Sequence, residues 1–169
     1  AKTIVLTFDD SFEDNYLNVF PSLKKYNFPA TIFVATDFIG REQKNESTGM
    51  LFKTLNWEQI KEMHQSGLID FEPHGCSHQE FPKISLENAK REILASKKIL
   101  EEGLQKKCYF FAYPRGKYNK DIIGLLKEND FWAALTVDFG KVQEGAGPYR
   151  LPRQSVDSAT GWLQFLHKI

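Results

Sequence analysis

The chain of 169 residues has only two cysteines, Cys76 and Cys108, too few for a disulfide scaffold. It has no excess of either charge: 22 Lys and Arg face 22 Asp and Glu. That balance argues against nucleic-acid binding, which normally needs a basic excess or stripe. No apolar run reaches 18 residues, so nothing in the sequence spans a membrane as a helix. Seven prolines and 11 glycines make up about a tenth of the chain, which excludes collagen-like and low-complexity sequence. Internal repeats and linkers are absent, and the reading is one domain over residues 1–169. Its first residue is Ala, with no charged and apolar leader behind it, so an N-terminally trimmed piece is expected.

Apolar residues make up 41% of the chain, near the globular norm, and a domain of this size buries roughly 70% of its unfolded surface. Continuous apolar runs predict buried strands at Lys2–Phe8, Ala30–Val34, Leu68–Phe71, Cys108–Ala112 and Phe131–Leu135, with an edge strand within Tyr149–Val156 broken by Pro152. Helices are expected between them. Asn15–Tyr26 is kinked or split by Pro21. Asn56 and Gln59 form a capping signal for a helix to Ser66, and Ser85 opens a long helix stopped by Gly103. Asn119 caps the next helix, and Ala159–Lys168 forms the last. Residues 41–54 read as a long polar loop. Alternation of strand and helix gives an α/β parallel sheet, either open or an incomplete barrel, with its active site beyond the carboxyl ends of the strands.

The chemistry-bearing residues fall at those ends. Asp9 and Asp10 close the first strand. Two adjacent carboxylates repel, so one can bind a cation while its neighbour acts as a base; a lone pair is otherwise a solvated loop or a cap. His74 and His78 follow the third strand in Pro-His-Gly-Cys-Ser-His, and this spacing puts both imidazoles on one face of a helical turn. Two His plus one Asp is a three-ligand set with an open position, the pattern of a catalytic zinc site. Cys76, between them, reads as a packed thiol. The other histidines, His64 and His167, read as ordinary helix residues, and Trp57, Trp132 and Trp162 as packing positions. Tyr113-Pro114-Arg115-Gly116 leaves the fourth strand as a rigid turn whose backbone N–H groups could face the same mouth. A two-His-one-carboxylate iron oxygenase is a rival reading, but the α/β pattern counts against it.

Thr7-Phe8-Asp9-Asp10, His74-x-x-x-His78 and Tyr113-Pro114-Arg115-Gly116, in this order, resemble the NodB-type polysaccharide deacetylases (carbohydrate esterase family 4). The resemblance implies a distorted (β/α) barrel with fewer than eight strands, and hydrolysis of N-acetyl groups on an amino sugar. Asp10, His74 and His78 would hold one divalent metal, zinc first, with Co2+ or Ni2+ as alternatives. Asp9 would be the general base, and the backbone N–H of Arg115 would help hold the oxyanion. Tyr113 and Pro114 would meet the substrate.

The departures are informative. Ser11 stands where the family usually has Gly, and Glu72-Pro73 replaces small residues. A carboxylate at Glu72 would hydrogen-bond a ligand histidine or alter the loop. Ala112 stands where the family often has an arginine that contacts the base. Ala-Tyr-Pro and Leu151-Pro152-Arg153 look like the subgroup acting on poly-β-1,6-N-acetylglucosamine, and Arg153 would supply the missing cation. The general acid is the gap. Phe165-Leu166-His167 only superficially fits the family's late Leu-x-His motif, and in the permuted subgroup the equivalent histidine would precede Ala1. The partner expected is therefore an N-acetylglucosamine-containing glycan, and the location extracytoplasmic. The alternatives are a non-catalytic glycan-binding module of the same fold, or a deacetylase of chitin, peptidoglycan or a small amide.

Overall fold

A computed structural model describes residues 3–44, 49–157 and 159–168. Six parallel strands form two three-stranded sheets. In the first, β1 (Leu6–Phe8), β2 (Ala30–Val34) and β5 (Ile69–Pro73) lie in the order β1-β2-β5, with Phe8 opposite Ile32 and Val34 opposite Pro73. In the second, β6 (Phe110–Ala112), β7 (Ala133–Phe139) and β8 (Leu151–Arg153) lie in the order β6-β7-β8, with Ala112 opposite Leu135 and a register shift before Phe139 meets Arg153. The short antiparallel pair β3 (Glu42–Lys44) and β4 (Leu51–Lys53) stands apart. The helices are α1 (Phe20–Tyr26), α2 (Trp57–Gln65), α3 (Leu86–Leu104), α4 (Lys120–Glu128) and α5 (Trp162–Lys168). This is the distorted barrel of parallel strands, short of eight, that the resemblance implies.

No ladder of backbone bonds joins the two sheets among the described residues. Charged side chains cross both seams instead. Between β5 and β6, the buried Glu72 carboxylate accepts the backbone N–H groups of Tyr109 and Phe110, each at 3.0 Å. Lys106 donates to Glu72 at 3.0 Å and also binds Asp70 and the Phe71 carbonyl. Between β8 and β1, the Arg153 guanidinium reaches Thr7 and Asp9.

Local sequence accounts for most of the elements. β2 is apolar or β-branched throughout, and Ile32, Phe33 and Val34 are almost fully buried, as befits a strand covered on both faces. The Asn56 side chain accepts the Gln59 N–H while Gln59 accepts the Asn56 N–H, a complete capping box for α2. Ser85 and Asn119 cap α3 and α4 through Asn88 and Ile122. Ala89, Ile93, Ser96 and Leu100 recur at helical spacing along the buried stripe of α3.

Several expectations need correction. Residues 41–54 are not all loop but carry the β3–β4 hairpin. The expected first strand, Lys2–Phe8, shortens among the described residues to β1, and Lys2 lies outside them. The helix over residues 15–26 divides into a π-helical turn, Asn15–Val19, and α1, with Pro21 in the first turn of α1, where its missing N–H costs nothing. Gly103 does not stop α3, which runs on to Leu104 and ends at a left-handed Gln105. It is needed for packing instead, since a Cβ there would sit 2.4 Å from the Trp57 ring. Trp132 and Trp162 are exposed rather than packed, and Trp132 stacks on Tyr109 at 3.9 Å.

Candidate active site

β1 ends in a tight reversal. Asp10 and Ser11 both take left-handed backbone angles, with φ of 67° and 50°, sparsely populated for residues bearing a Cβ. Such strain tends to collect at functional sites, and a glycine at Ser11 would relieve it. The turn is held from β4's far end, where the Leu55 N–H donates to the Ser11 carbonyl at 2.9 Å. It leaves Asp9 and Asp10 facing different partners.

Asp10 faces the histidines. Its Oδ1 lies 3.6 Å from His74 Nε2 and 3.2 Å from His78 Nε2. The three donor atoms fall within 4.8 Å of one another, as one ion would require. Asp10 Oδ1 is buried and has no hydrogen-bond partner. His74 is almost fully buried at the end of β5, and its Nδ1 donates to the Ala112 carbonyl at 2.7 Å. Only a protonated Nδ1 can make that bond, which leaves Nε2 as the ring's ligating atom, aimed at Asp10. Burial and the neighbouring His74 hold the His78 pKa below its ordinary value, against the pull of Asp10, and favour its neutral, ligating form. Two ring nitrogens and a carboxylate oxygen thus converge on one point, an arrangement that suits a divalent cation.

The spacing of His74 and His78 works differently from a helical turn. The segment is non-helical, and left-handed residues at Gly75 (φ 76°) and His78 (φ 57°) fold it so that the rings meet 5.0 Å apart. Cys76 is buried, its Sγ directed at the Glu92 carbonyl at 3.4 Å, and both cysteines are free. The packed-thiol reading fits.

Asp9 faces Arg153. The guanidinium donates to both carboxylate oxygens, at 2.8 Å and 2.6 Å, and to Thr7 Oγ1 at 3.2 Å. Its Nε donates to the Thr136 carbonyl at 2.8 Å, which fixes the plane of the fork against β7. Burial alone would raise the Asp9 carboxyl. The Arg153 hydrogen bonds, the facing imidazoles and the guanidinium charge outweigh it and hold the group below the usual carboxylate range.

The turn after β6 departs from expectation. Tyr113 is fully buried, stacks on Tyr118 at 5.0 Å and donates its hydroxyl to the Tyr149 carbonyl. Pro114 is buried as well. Neither side chain is placed to meet a polymer, which corrects their substrate-binding assignment. Arg115 takes a left-handed φ of 55°, and its Nε lies 3.8 Å from Glu80. Gly116 follows at φ 67°, where a Cβ would come within 2.5 Å of Val137. Glu72 does not touch a ligand histidine; it turns to the β5–β6 seam, and the Ala112 carbonyl is what orients His74. Sequence reasoning missed that carbonyl and the Thr136 carbonyl, since backbone acceptors leave no mark on residue type.

Residues 1–134 match the family model described as Polysaccharide deacetylase. A poly-beta-1,6-N-acetyl-D-glucosamine N-deacetylase of Staphylococcus epidermidis is 32% identical over 160 residues, covering 90% of this chain and 54% of that protein. The chain spans about half the length of the curated relatives it matches. Among solved structures, a Streptococcus pyogenes deacetylase, PplD, in complex with acetate superposes with a TM-score of 0.86 at 28% identity, covering 99% of this chain and 71% of that one. IcaB from Ammonifex degensii superposes with a TM-score of 0.85 at 28% identity, covering 99% and 72%.

Proposed function

Because this chain belongs to the polysaccharide deacetylase family, we propose that it hydrolyses N-acetyl groups on an amino-sugar polymer of the poly-β-1,6-N-acetylglucosamine class, releasing acetate. The observation that carries this reading is the buried, unpartnered Asp10 Oδ1 facing two imidazole nitrogens. Asp10, His74 and His78 would hold one divalent cation, with zinc the best fit to two imidazoles and one carboxylate. A cation there would lower the pKa of a bound water toward neutrality and polarise the acetyl carbonyl.

The protein's own groups supply the rest. Asp9 accepts the proton of the attacking water; its low pKa keeps it ionised at neutral pH, and a second lone pair on each oxygen stays available beside the Arg153 bonds. Arg153 aims that carboxylate and takes the place of the arginine absent at Ala112. The turn at Arg115 would present its backbone N–H to the developing oxyanion. A polymer of this kind lies outside the cytoplasm, and the protein would act there. No helix among the described residues is long and apolar enough to cross a membrane.

One observation favours a second reading, a glycan-binding module without turnover. The leaving amine needs a proton, and neither remaining histidine joins the cluster. His64 contacts the Ile69 carbonyl at the amino end of β5, the end away from His74. His167 lies on α5 along a groove with Phe139, Gln154 and Asp157.

Acetate release from β-1,6- and β-1,4-linked N-acetylglucosamine oligomers separates the two. A deacetylase releases acetate, the β-1,6 oligomer reacting faster, and Asp9→Asn loses about 100-fold or more of the rate while still binding the oligomer. Binding without release by the metal-loaded wild type would establish the module instead.

A further inference from the structure

The loop between the two histidines is held from both sides. On the β2 side, the Thr36 N–H donates to the Gly75 carbonyl at 3.1 Å and the Asp37 N–H to the Cys76 carbonyl at 3.0 Å. On the α3 side a single carboxylate does the work. Glu92 Oε2 accepts the N–H groups of Cys76 and Ser77, both at 2.8 Å, and Oε1 accepts the Ser77 hydroxyl at 2.7 Å. The same turn of α3 receives the Cys76 thiol on its backbone carbonyl. Phe81 and Glu92 Oε2 close over Gly75, where a Cβ would lie 3.2 Å and 3.5 Å from them.

This grip falls on a segment that does not hold its own shape. Gly75 and His78 both sit at positive φ, and His78 carries a Cβ there. The N–H groups of Cys76 and Ser77 make no secondary-structure bond, so without an acceptor they would be left partly buried and unpaired. Glu92 answers both with charge-assisted bonds.

We propose that Glu92 is a positioning residue for the metal: its carboxylate sets the conformation of residues 75–78 and so holds His74 and His78 at ligating distance. The inference rests on the metal reading of Asp10, His74 and His78. It predicts that metal affinity depends on a side chain that ligates nothing. Carboxylates that support metal ligands at one remove typically change affinity or activity by about 10- to 100-fold when removed.

The test measures zinc affinity by competition with a chromophoric chelator, together with the thermal midpoint of the metal-free protein and amide exchange at Cys76 and Ser77. Glu92→Ala should weaken zinc binding about 10- to 100-fold and speed exchange at those two amides. Glu92→Gln should fall between it and the wild type, since a rotated amide still accepts both N–H groups and donates to Ser77 Oγ. Ser77→Ala, which removes one of the three bonds, should weaken binding several-fold. A purely structural Glu92 would lower the thermal midpoint and leave zinc affinity unchanged, and that result in folded variants overturns the proposal. If Glu92→Ala does not fold, Glu92→Gln and Ser77→Ala decide: wild-type affinity in both overturns it. Absence of zinc binding by the wild type itself would instead overturn the metal reading, and exchange at Cys76 and Ser77 would still report whether Glu92 shapes the loop.

Discussion

Asp9 and Asp10 are adjacent in sequence and opposite in circumstance. Asp9 is tied to a guanidinium, whereas Asp10 faces two imidazole nitrogens. In the proposed function, that division would let one carboxylate serve as a base and the other as a ligand, although both are the same residue type. Arg153 maintains it, and removing Arg153 has a signed consequence. In Arg153→Ala the bonds and charge that lower Asp9 vanish while much of the burial that raises it remains. The acid limb of the pH–rate profile should therefore move to higher pH, and the maximal rate should drop by about 10- to 100-fold. A limb that stays put would show that Asp9 is not the ionising base. Asp9, Asp10, His74 and His78 were legible in the sequence because each motif is short and its residues close to one site. Arg153 was legible only through the resemblance, because 144 residues separate it from Asp9. Tyr113 was misread because an aromatic at a strand exit carries the same signal whether it faces a glycan or the core; here it faces the core.

Elements were legible where local chemistry decides them. β2 emerges with the expected bounds because every one of its residues is apolar or β-branched. α2 begins where Asn56 and Gln59 say it should. The β3–β4 hairpin was not legible, since Glu42–Lys44 is polar and pairs through backbone bonds that composition does not report. Gly103 was misread for a related reason: a helix-stopping glycine and a glycine that admits a neighbouring ring look alike in one sequence. The two roles predict opposite mutational signs. On an open helix surface Gly103→Ala would stabilise by about 0.5–1 kcal/mol. Against the Trp57 ring, overpacking of about 1–3 kcal/mol outweighs that gain. Urea unfolding should show Gly103→Ala destabilised, and Gly103→Ala combined with Trp57→Leu should recover part of the loss.

The whole molecule is a barrel opened at two seams, each closed by charge rather than by a backbone ladder. Arg153 to Asp9 and Thr7 closes one beside the site, and Glu72 with Lys106 closes the other. Burial pushes the Glu72 carboxyl up to about 7, against the pull of Lys106 and the backbone donors. Burial likewise opposes the Lys106 charge, but Glu72 and Asp70 outweigh it and raise its pKa. Glu72→Ala would orphan the N–H groups of Tyr109 and Phe110, while Lys106 keeps Asp70. The expected loss is about 2–4 kcal/mol in urea unfolding, from two unpaired, partly buried donors; a loss under about 0.5 kcal/mol, the range of an ordinary surface substitution, would mean that the seam is not held by this residue. The seam of Glu72 and Lys106 was not legible in the sequence, because a charged residue at a strand end normally reads as solvated. The central claim is that Asp10, His74 and His78 hold a single cation on which hydrolysis depends. Zinc titrated into metal-free protein, with acetate release from the β-1,6 oligomer followed at each step, tests it directly. The account predicts that release rises from near zero, saturates at one zinc per chain, and is abolished in His78→Ala. Full release by metal-free protein, or saturable zinc binding unchanged in His78→Ala, would contradict it.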